Sequence, residues 1–289
     1  GLGDIVLHPQ FSQNRQVYIS YAAAGQGGYG AVVARGELDL SNPQQPQLKK
    51  LRTIWQQVPK VQGQGHYGYR LLLASDGKLW ISSGERQKFD PAQDMQSNLG
   101  KILRLNDDGT PASANPFMYR GEIAKQVWTL GHRNPLGIAF DRKGQLWVAE
   151  MGPKGGDELN LVLRGRNYGW PLITYGTDYT GRLIGDGESV KPGLEQPVHY
   201  WAPISVAPSG LALEPNPSKR IVWISTLAGE TLLRLTLGAG CTVSEEHFIE
   251  HRLGRLRDVR IDANGVLYVL TDGSEGMLYR LNRPAGEAR

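Results

Sequence analysis

The chain has 289 residues, 40% of them hydrophobic, which is enough to bury a sizeable core. The net charge of +4 is spread among interspersed acids and bases, and no basic stripe with stacking aromatics occurs, which argues against a nucleic-acid partner. No apolar run approaches the length of a membrane-spanning helix, and the one cysteine, Cys241, excludes an internal disulfide and reads as a small, partly buried side chain.

Glycine (37 residues) and proline (17 residues) are spread along the chain, as expected of many short strands joined by tight turns. The first eleven residues read as a strand in the middle of a blade-like sheet, followed by His8-Pro9. No amino-terminal leader is visible, and because the sequence starts at glycine a removed one would leave no trace. A phrase of the form turn, glycine, aromatic, β-branched residue then recurs. It appears as SDGKLWIS (75–82), DRKGQLWVA (141–149) and DANGVLYVL (262–270), with looser copies NRQVYIS (14–20) and SKRIVWIS (218–225). Several copies are followed by a strand ending in Arg-Leu: KILRL, TLLRL and MLYRL. Asp-Gly and Asn-Gly suit the joining turns because positive φ costs them least. The copies lie roughly 45 to 75 residues apart, the spacing of propeller blades with insertions. A β-sandwich also has many short strands, but it has no reason to repeat one phrase at blade spacing. Helical patterns are scarce, with one short turn expected at 92–98.

Candidate site residues follow in chain order. His66 ends a glycine-bearing loop before an apolar strand, a placement that suits function. Glu85 and Gln87 follow the next strand as possible ligand contacts or as a solvated loop. The stretch WTLGHRNPLG brings Arg133 and Asn134 to the end of a strand. Met151-Gly152-Pro153 offers main-chain oxygens of the kind calcium accepts, with Asp157, Glu158 and Asp178 supplying carboxylates for a second ion or serving as plain surface acids. Arg255 and Arg257 share parity on the last strand pair and should face one way. With Arg133 they suit a ligand carrying several carboxylates, which arginine binds in a planar, bidentate fashion. The alternative is surface arginines paired with Asp258 and Glu250.

The phrases GHYGYRLLL, SGERQKFDPAQDMQSNLGKILRL, WTLGHRNPLGIAF, GPKGGDELNL, GRNYGWP, VAPSGLAL and RLRDVRIDANGVLYVLTD occur in this order along the chain. Together they resemble the soluble aldose sugar dehydrogenases of the glucose/sorbosone dehydrogenase family, which use pyrroloquinoline quinone (PQQ) and calcium. The resemblance implies an all-β, six-bladed β-propeller in a single domain over 1–289. About five blades are expected here, with the family's first blade missing from the amino-terminal side. It implies oxidation of an aldose C1 hydroxyl to the lactone by hydride transfer to PQQ, with electrons passed to an external acceptor. His66 matches the general base, Arg133 the arginine beside the reactive quinone carbonyl, and Asn134 a neighbouring cofactor contact. Gly152 and Pro153 match the carbonyls that hold the cofactor's calcium, and Arg255 and Arg257 the arginines that clamp PQQ carboxylates. Ser205 falls near a hydroxyl contact to the cofactor. Glu85 falls where an acid lines the sugar site, with Gln87 beside it. Glu158, the Tyr168 carbonyl and Asp178 look like a structural calcium site.

The sequence departs from the family pattern at three places: Met151 precedes the Gly-Pro pair, Ala228 stands where some members place a lysine, and Tyr69 replaces a usual glycine. The family further implies a periplasmic or secreted monomer or homodimer with a small-molecule sugar substrate. The competing readings are a non-catalytic calcium-stabilised propeller that binds a sugar or a protein, and a calcium-dependent propeller lactonase. The lactonase would want a metal held by carboxylate and asparagine side chains rather than by main-chain carbonyls with arginines.

Overall fold

The computed structural model describes residues 1–216, 219–238 and 243–282; Ser218 and Cys241 lie outside them. The described chain is all-β and of β-propeller type, with five antiparallel sheets of blade form. It divides into two compact units.

The first unit comprises residues 1–135, 163–172 and 191–195. It holds the sheet β1 (Leu2–Leu7), β2 (Gln16–Gly25), β3 (Gly28–Asp39), β4 (Gln47–Gln56), and the sheet β5 (Gly68–Leu73), β6 (Leu79–Ser83), β7 (Lys101–Leu105), β8 (Val127–Leu130), each in sequential order. The second unit comprises residues 136–162, 173–190 and 196 onward. Its first sheet runs β9 (Pro135–Phe140), β10 (Leu146–Glu150), β11 (Asp157–Val162), β12 (His199–Trp201). Next come β13 (Pro208–Leu213), β14 (Ile221–Thr226), β15 (Leu232–Leu237), β16 (Val243–Phe248), and then β17 (Leu256–Ile261), β18 (Leu267–Thr271), β19 (Leu278–Leu281).

The five copies of the repeated phrase become β2, β6, β10, β14 and β18, the second strand of each sheet. The Arg-Leu phrases become third strands. In the three strong copies the turn is built the same way. Asp76, Asp141 and Asp262 each accept a backbone N–H from two residues on, and the following glycines sit at φ 76°, 75° and 78°. That left-handed conformation is what selects glycine there. The serine that ends a copy is buried and ties neighbouring sheets. In the first unit Ser20 Oγ donates to the Tyr69 carbonyl at 2.7 Å. Ser225 Oγ pairs with Ser209 Oγ, which in turn donates to the Leu256 carbonyl.

Each unit has its own apolar core. Leu79, Ile81, Leu103 and Leu105 are fully buried in the first, alternating along β6 and β7. Such side chains contribute about 1.5–3 kcal/mol each on leaving water. In the second, Trp147, Leu159, Leu211, Ile224 and Leu233 form one cluster, and Leu256, Val259 and Val269 anchor another.

Two expectations are corrected. Residues 1–11 do not begin mid-blade: β1 is the first strand of its sheet, paired in the ladder with β2, and a short helix (Phe11–Asn14) follows. The helical turn expected at 92–98 lies earlier, as a single 3₁₀ turn at Asp90–Ala92. Pro91 at its start favours that place, because proline presets φ and needs no donor there.

Candidate active site

In the first unit, the loop before β5 delivers His66 and the loop after β6 delivers Glu85. His66 Nδ1 lies 2.5 Å from Glu85 Oε1. The histidine side chain is 12% exposed and the glutamate 1%. Glu85 is therefore not a surface contact. Its carboxylate also accepts the backbone N–H groups of Gln87 (2.9 Å), Lys88 (2.5 Å) and Phe89 (2.6 Å). To aim three consecutive amides at one carboxylate, the loop places Arg86, Gln87 and Phe89 at φ 63°, 59° and 63°. Such conformations cost on the order of 1–3 kcal/mol each and persist where the surroundings enforce them. Glycine is required at position 84, where a Cβ would meet the His66 carbonyl at 2.2 Å.

With Nδ1 facing a carboxylate, the hydrogen-bond network assigns the ring proton to Nδ1 and leaves the Nε2 lone pair free to accept. Burial depresses the His66 pKa below the ordinary histidine value. The hydrogen bond that His66 donates to Glu85 opposes that shift, while the charges of Arg133 and Arg86 reinforce it. Burial alone would raise the Glu85 carboxyl, but the hydrogen bonds from His66 and Phe89 outweigh it and hold the group below its usual value.

Arg133 and Asn134 join the same cluster. The Arg133 carbonyl accepts the Glu85 N–H at 2.9 Å, and its buried guanidinium sits 5.3 Å from the Trp170 ring centroid. Asn134 Oδ1 accepts the Gly68 N–H at 3.3 Å. Lys101, fully buried, donates to the carbonyls of Pro91, Ala92 and Leu99, and Ala92 also accepts the Gly131 N–H. Gln87 is exposed, with its side chain over Gly65. Tyr168 is buried in a packed turn, stacked on His132 at 4.8 Å. Tyr69 takes φ 50°, a conformation that favours glycine, and stacks on Tyr67 at 5.5 Å.

In the second unit, Gly152 and Pro153 lie on the loop between β10 and β11. Gly152 has no room for a side chain, since a Cβ would meet the Gly156 carbonyl at 2.0 Å. The buried Asp157 bolts this loop: its oxygens accept the N–H groups of Gly152 (2.7 Å), Val206 (2.7 Å) and Ala207 (2.8 Å). Sequence reasoning offered Asp157 to a second ion, but main-chain amides occupy its carboxylate. Ser205 Oγ accepts the Gly155 N–H and donates to the Pro153 carbonyl at 3.1 Å.

Glu158 stands opposite Glu150 in the β10–β11 register and accepts from the Asn160 amide at 2.9 Å. Burial and then the Glu150 charge push its pKa up to about 8. The Asp178 carboxylate closes its own turn, accepting from Thr180 and Arg182. Arg255 and Arg257 do face one way, and their shared partner is Asp272 rather than Asp258 or Glu250, at 3.0 and 2.8 Å. Their side chains are 51% and 39% exposed, so both guanidiniums reach the surface.

The sequence thus named His66, Glu85, Arg133 and Asn134, which the first unit brings together, and the Pro153–Ser205 and Arg255–Arg257 pairs, which the second unit joins. It missed Arg86, Trp170 and Asp272. Arg86 stood in plain view beside Glu85, but nothing in a Glu-Arg dipeptide says which side chain turns inward.

Comparison with known proteins gives one answer. Residues 1–280 match the family model described as Glucose / Sorbosone dehydrogenase. The aldose sugar dehydrogenase YliI of Escherichia coli (strain K12) is 37% identical over 292 residues, spanning 98% of this chain and 77% of that protein. A crystal structure of a glucose dehydrogenase superposes with a TM-score of 0.92 at 38% identity, covering 98% of this chain and 83% of the other. The PQQ-bound form of an aldose sugar dehydrogenase from Streptomyces coelicolor superposes with a TM-score of 0.79 at 31% identity, covering 97% and 79%.

Proposed function

The chain belongs to the glucose/sorbosone dehydrogenase family, and on that premise we propose that it oxidises the C1 hydroxyl of an aldose to the lactone, using PQQ and calcium. The observation that carries the reading is the buried Glu85 behind His66, which leaves Nε2 of a neutral imidazole as the acceptor of a hydroxyl proton.

The residues present fit the cofactor. Two guanidiniums already share one carboxylate, Asp272, and stay partly exposed, which suits a polycarboxylate ligand. The carbonyls of Gly152 and Pro153 sit on a loop fixed by Asp157 and Ser205, a donor set that suits a hard cation. When bound, the quinone supplies the hydride acceptor and calcium its polarisation.

The chain's own residues do the rest. His66 Nε2 takes the C1 hydroxyl proton. Glu85 holds the ring in one tautomer and stabilises the imidazolium that forms. We assign it that role in place of the sugar contact, and leave the sugar side to the exposed Gln87. Arg133, buried over Trp170, provides a fixed positive charge with Asn134 beside it. Ser205 keeps the Pro153 carbonyl in place. Glu158 is the best placed residue for a structural calcium, since a cation would relieve its opposition to Glu150; Asp178, in the same unit, is assigned to that ion. An external acceptor takes the electrons, and the reaction takes place in the periplasm or outside the cell.

The test is direct. PQQ, calcium, an aldose and a redox dye are added to the purified chain. Dye bleaching that needs all four components supports the reading. Cofactor uptake without bleaching across a panel of aldoses would leave a binding protein, and lactone opening without bleaching a hydrolase.

A further inference from the structure

Arg86 is fully buried, and its guanidinium donates to three main-chain carbonyls rather than to a carboxylate. Nη1 donates to Gly65, and Nη2 to Gly63 at 2.6 Å and to Tyr29 at 3.4 Å. The guanidinium carbon lies 3.8 Å from the Tyr67 ring centroid. The backbone N–H of Arg86 donates to the His66 carbonyl at 3.2 Å. One residue thus grips positions 63, 65, 66 and 67, on both sides of the histidine. Burying a cation costs several kcal/mol unless its surroundings offset it. A planar fork bonded to three carbonyls and stacked on a ring is an arrangement lysine cannot reproduce.

Electrostatics adds a second role. Glu85, beside the imidazole, favours the imidazolium, and a base that is already protonated cannot accept a proton. The charges facing His66 are Glu85 on one side of the balance and Arg133 and Arg86 on the other. Resting on the reading of His66 as the base, we propose that Arg86 is a positioning residue for the reaction: it clamps the 63–67 loop that aims the imidazole, and its charge counters Glu85 so that the ring stays neutral and ready.

The electrostatic role is tested on the full chain without cofactor, so that reading does not depend on turnover; the clamp is tested by kcat of the loaded enzyme. The His66 ring is titrated by NMR, with His66→Asn assigning its signal, in the wild type, Arg86→Gln and Arg86→Lys. Melting curves establish that each variant is folded. In Arg86→Gln the loss of a positive charge should raise the His66 midpoint by about half a pH unit or more, roughly a threefold gain in proton affinity. In Arg86→Lys the charge stays and the fork is lost, so the midpoint should hold while kcat of the loaded enzyme falls at least about tenfold with KM little changed. A folded Arg86→Gln with an unmoved His66 midpoint overturns the electrostatic role. An Arg86→Lys variant with wild-type kcat overturns the clamp. If Arg86→Gln does not fold, the same two readings in Arg86→Lys decide: a moved midpoint or an unchanged kcat sinks the idea. A shifted midpoint in a chain that never reduces dye would leave the Arg86 inference standing and overturn the dehydrogenase reading instead.

Discussion

The backbone N–H of Glu85 donates to the carbonyl of Arg133 at 2.9 Å. The residue that orients the imidazole and the residue that brings a fixed guanidinium are thereby locked by one main-chain hydrogen bond, although 48 positions separate them in sequence. Proton acceptance and positive charge are held in a common frame, and the predictions below follow from it.

Replacing His66 with asparagine should lower kcat about 10²–10⁴-fold, the range of a lost general base. PQQ affinity should change little, because no proposed cofactor contact uses the imidazole. Steady-state dye reduction and a cofactor titration, run side by side, check this. Equal loss of both would contradict the role.

The pH profile has a defined sign. His66 must be neutral to act, and its pKa lies below the ordinary histidine value. The rate should therefore be sustained through neutral pH and fall as pH drops through that depressed pKa. In Glu85→Gln the hydrogen bond that favours the imidazolium is weakened, so the acid limb should move to lower pH while the plateau drops on the order of 10²-fold or more. Arg86→Gln should move the same limb the other way. Measuring kcat against pH in all three proteins decides it; limbs moving in the same direction would contradict the balance of charges around the ring.

The architecture was legible because it repeats. One aspartate-glycine turn phrase, placed on the second strand of every sheet, survives as local pattern and local hydrogen bonding. The arrangement around His66 was legible only by resemblance. Glu85 and Gln87 read alike as loop polars, yet one is fully buried and the other exposed. That difference comes from three left-handed residues wrapping the carboxylate, and non-glycine residues give no warning of such conformations. Asp272 as the acceptor for both Arg255 and Arg257 depends on cross-strand register, which parity along a single strand does not contain.

Asp157→Ala should destabilise the second unit by about 2–4 kcal/mol, because three main-chain donors, one buried and two part-buried, lose their acceptor at once. Calcium-dependent PQQ binding should weaken in step. Chemical denaturation and cofactor titration measure the two effects. Unaltered stability would mean that the Gly152 loop is held by something else.

Gly152→Ala probes the same loop by crowding. The added methyl would meet the Gly156 carbonyl at 2.0 Å, so the backbone must shift. The expected result is a folded chain whose calcium requirement for PQQ binding rises at least about tenfold. Wild-type calcium dependence would separate this loop from the metal.

The bond from Ser20 to the Tyr69 carbonyl has a partner in Asp4, whose carboxylate accepts the Leu71 N–H at 3.0 Å. Both reach from the first sheet onto the strand that begins two residues after His66. In hydrogen-exchange terms, the amides of β5 cannot open freely while β1 and β2 remain closed. The imidazole therefore borrows its stillness from a sheet that supplies none of the proposed catalytic groups, and a change at Asp4 should register as looser catalysis before it registers as lost fold.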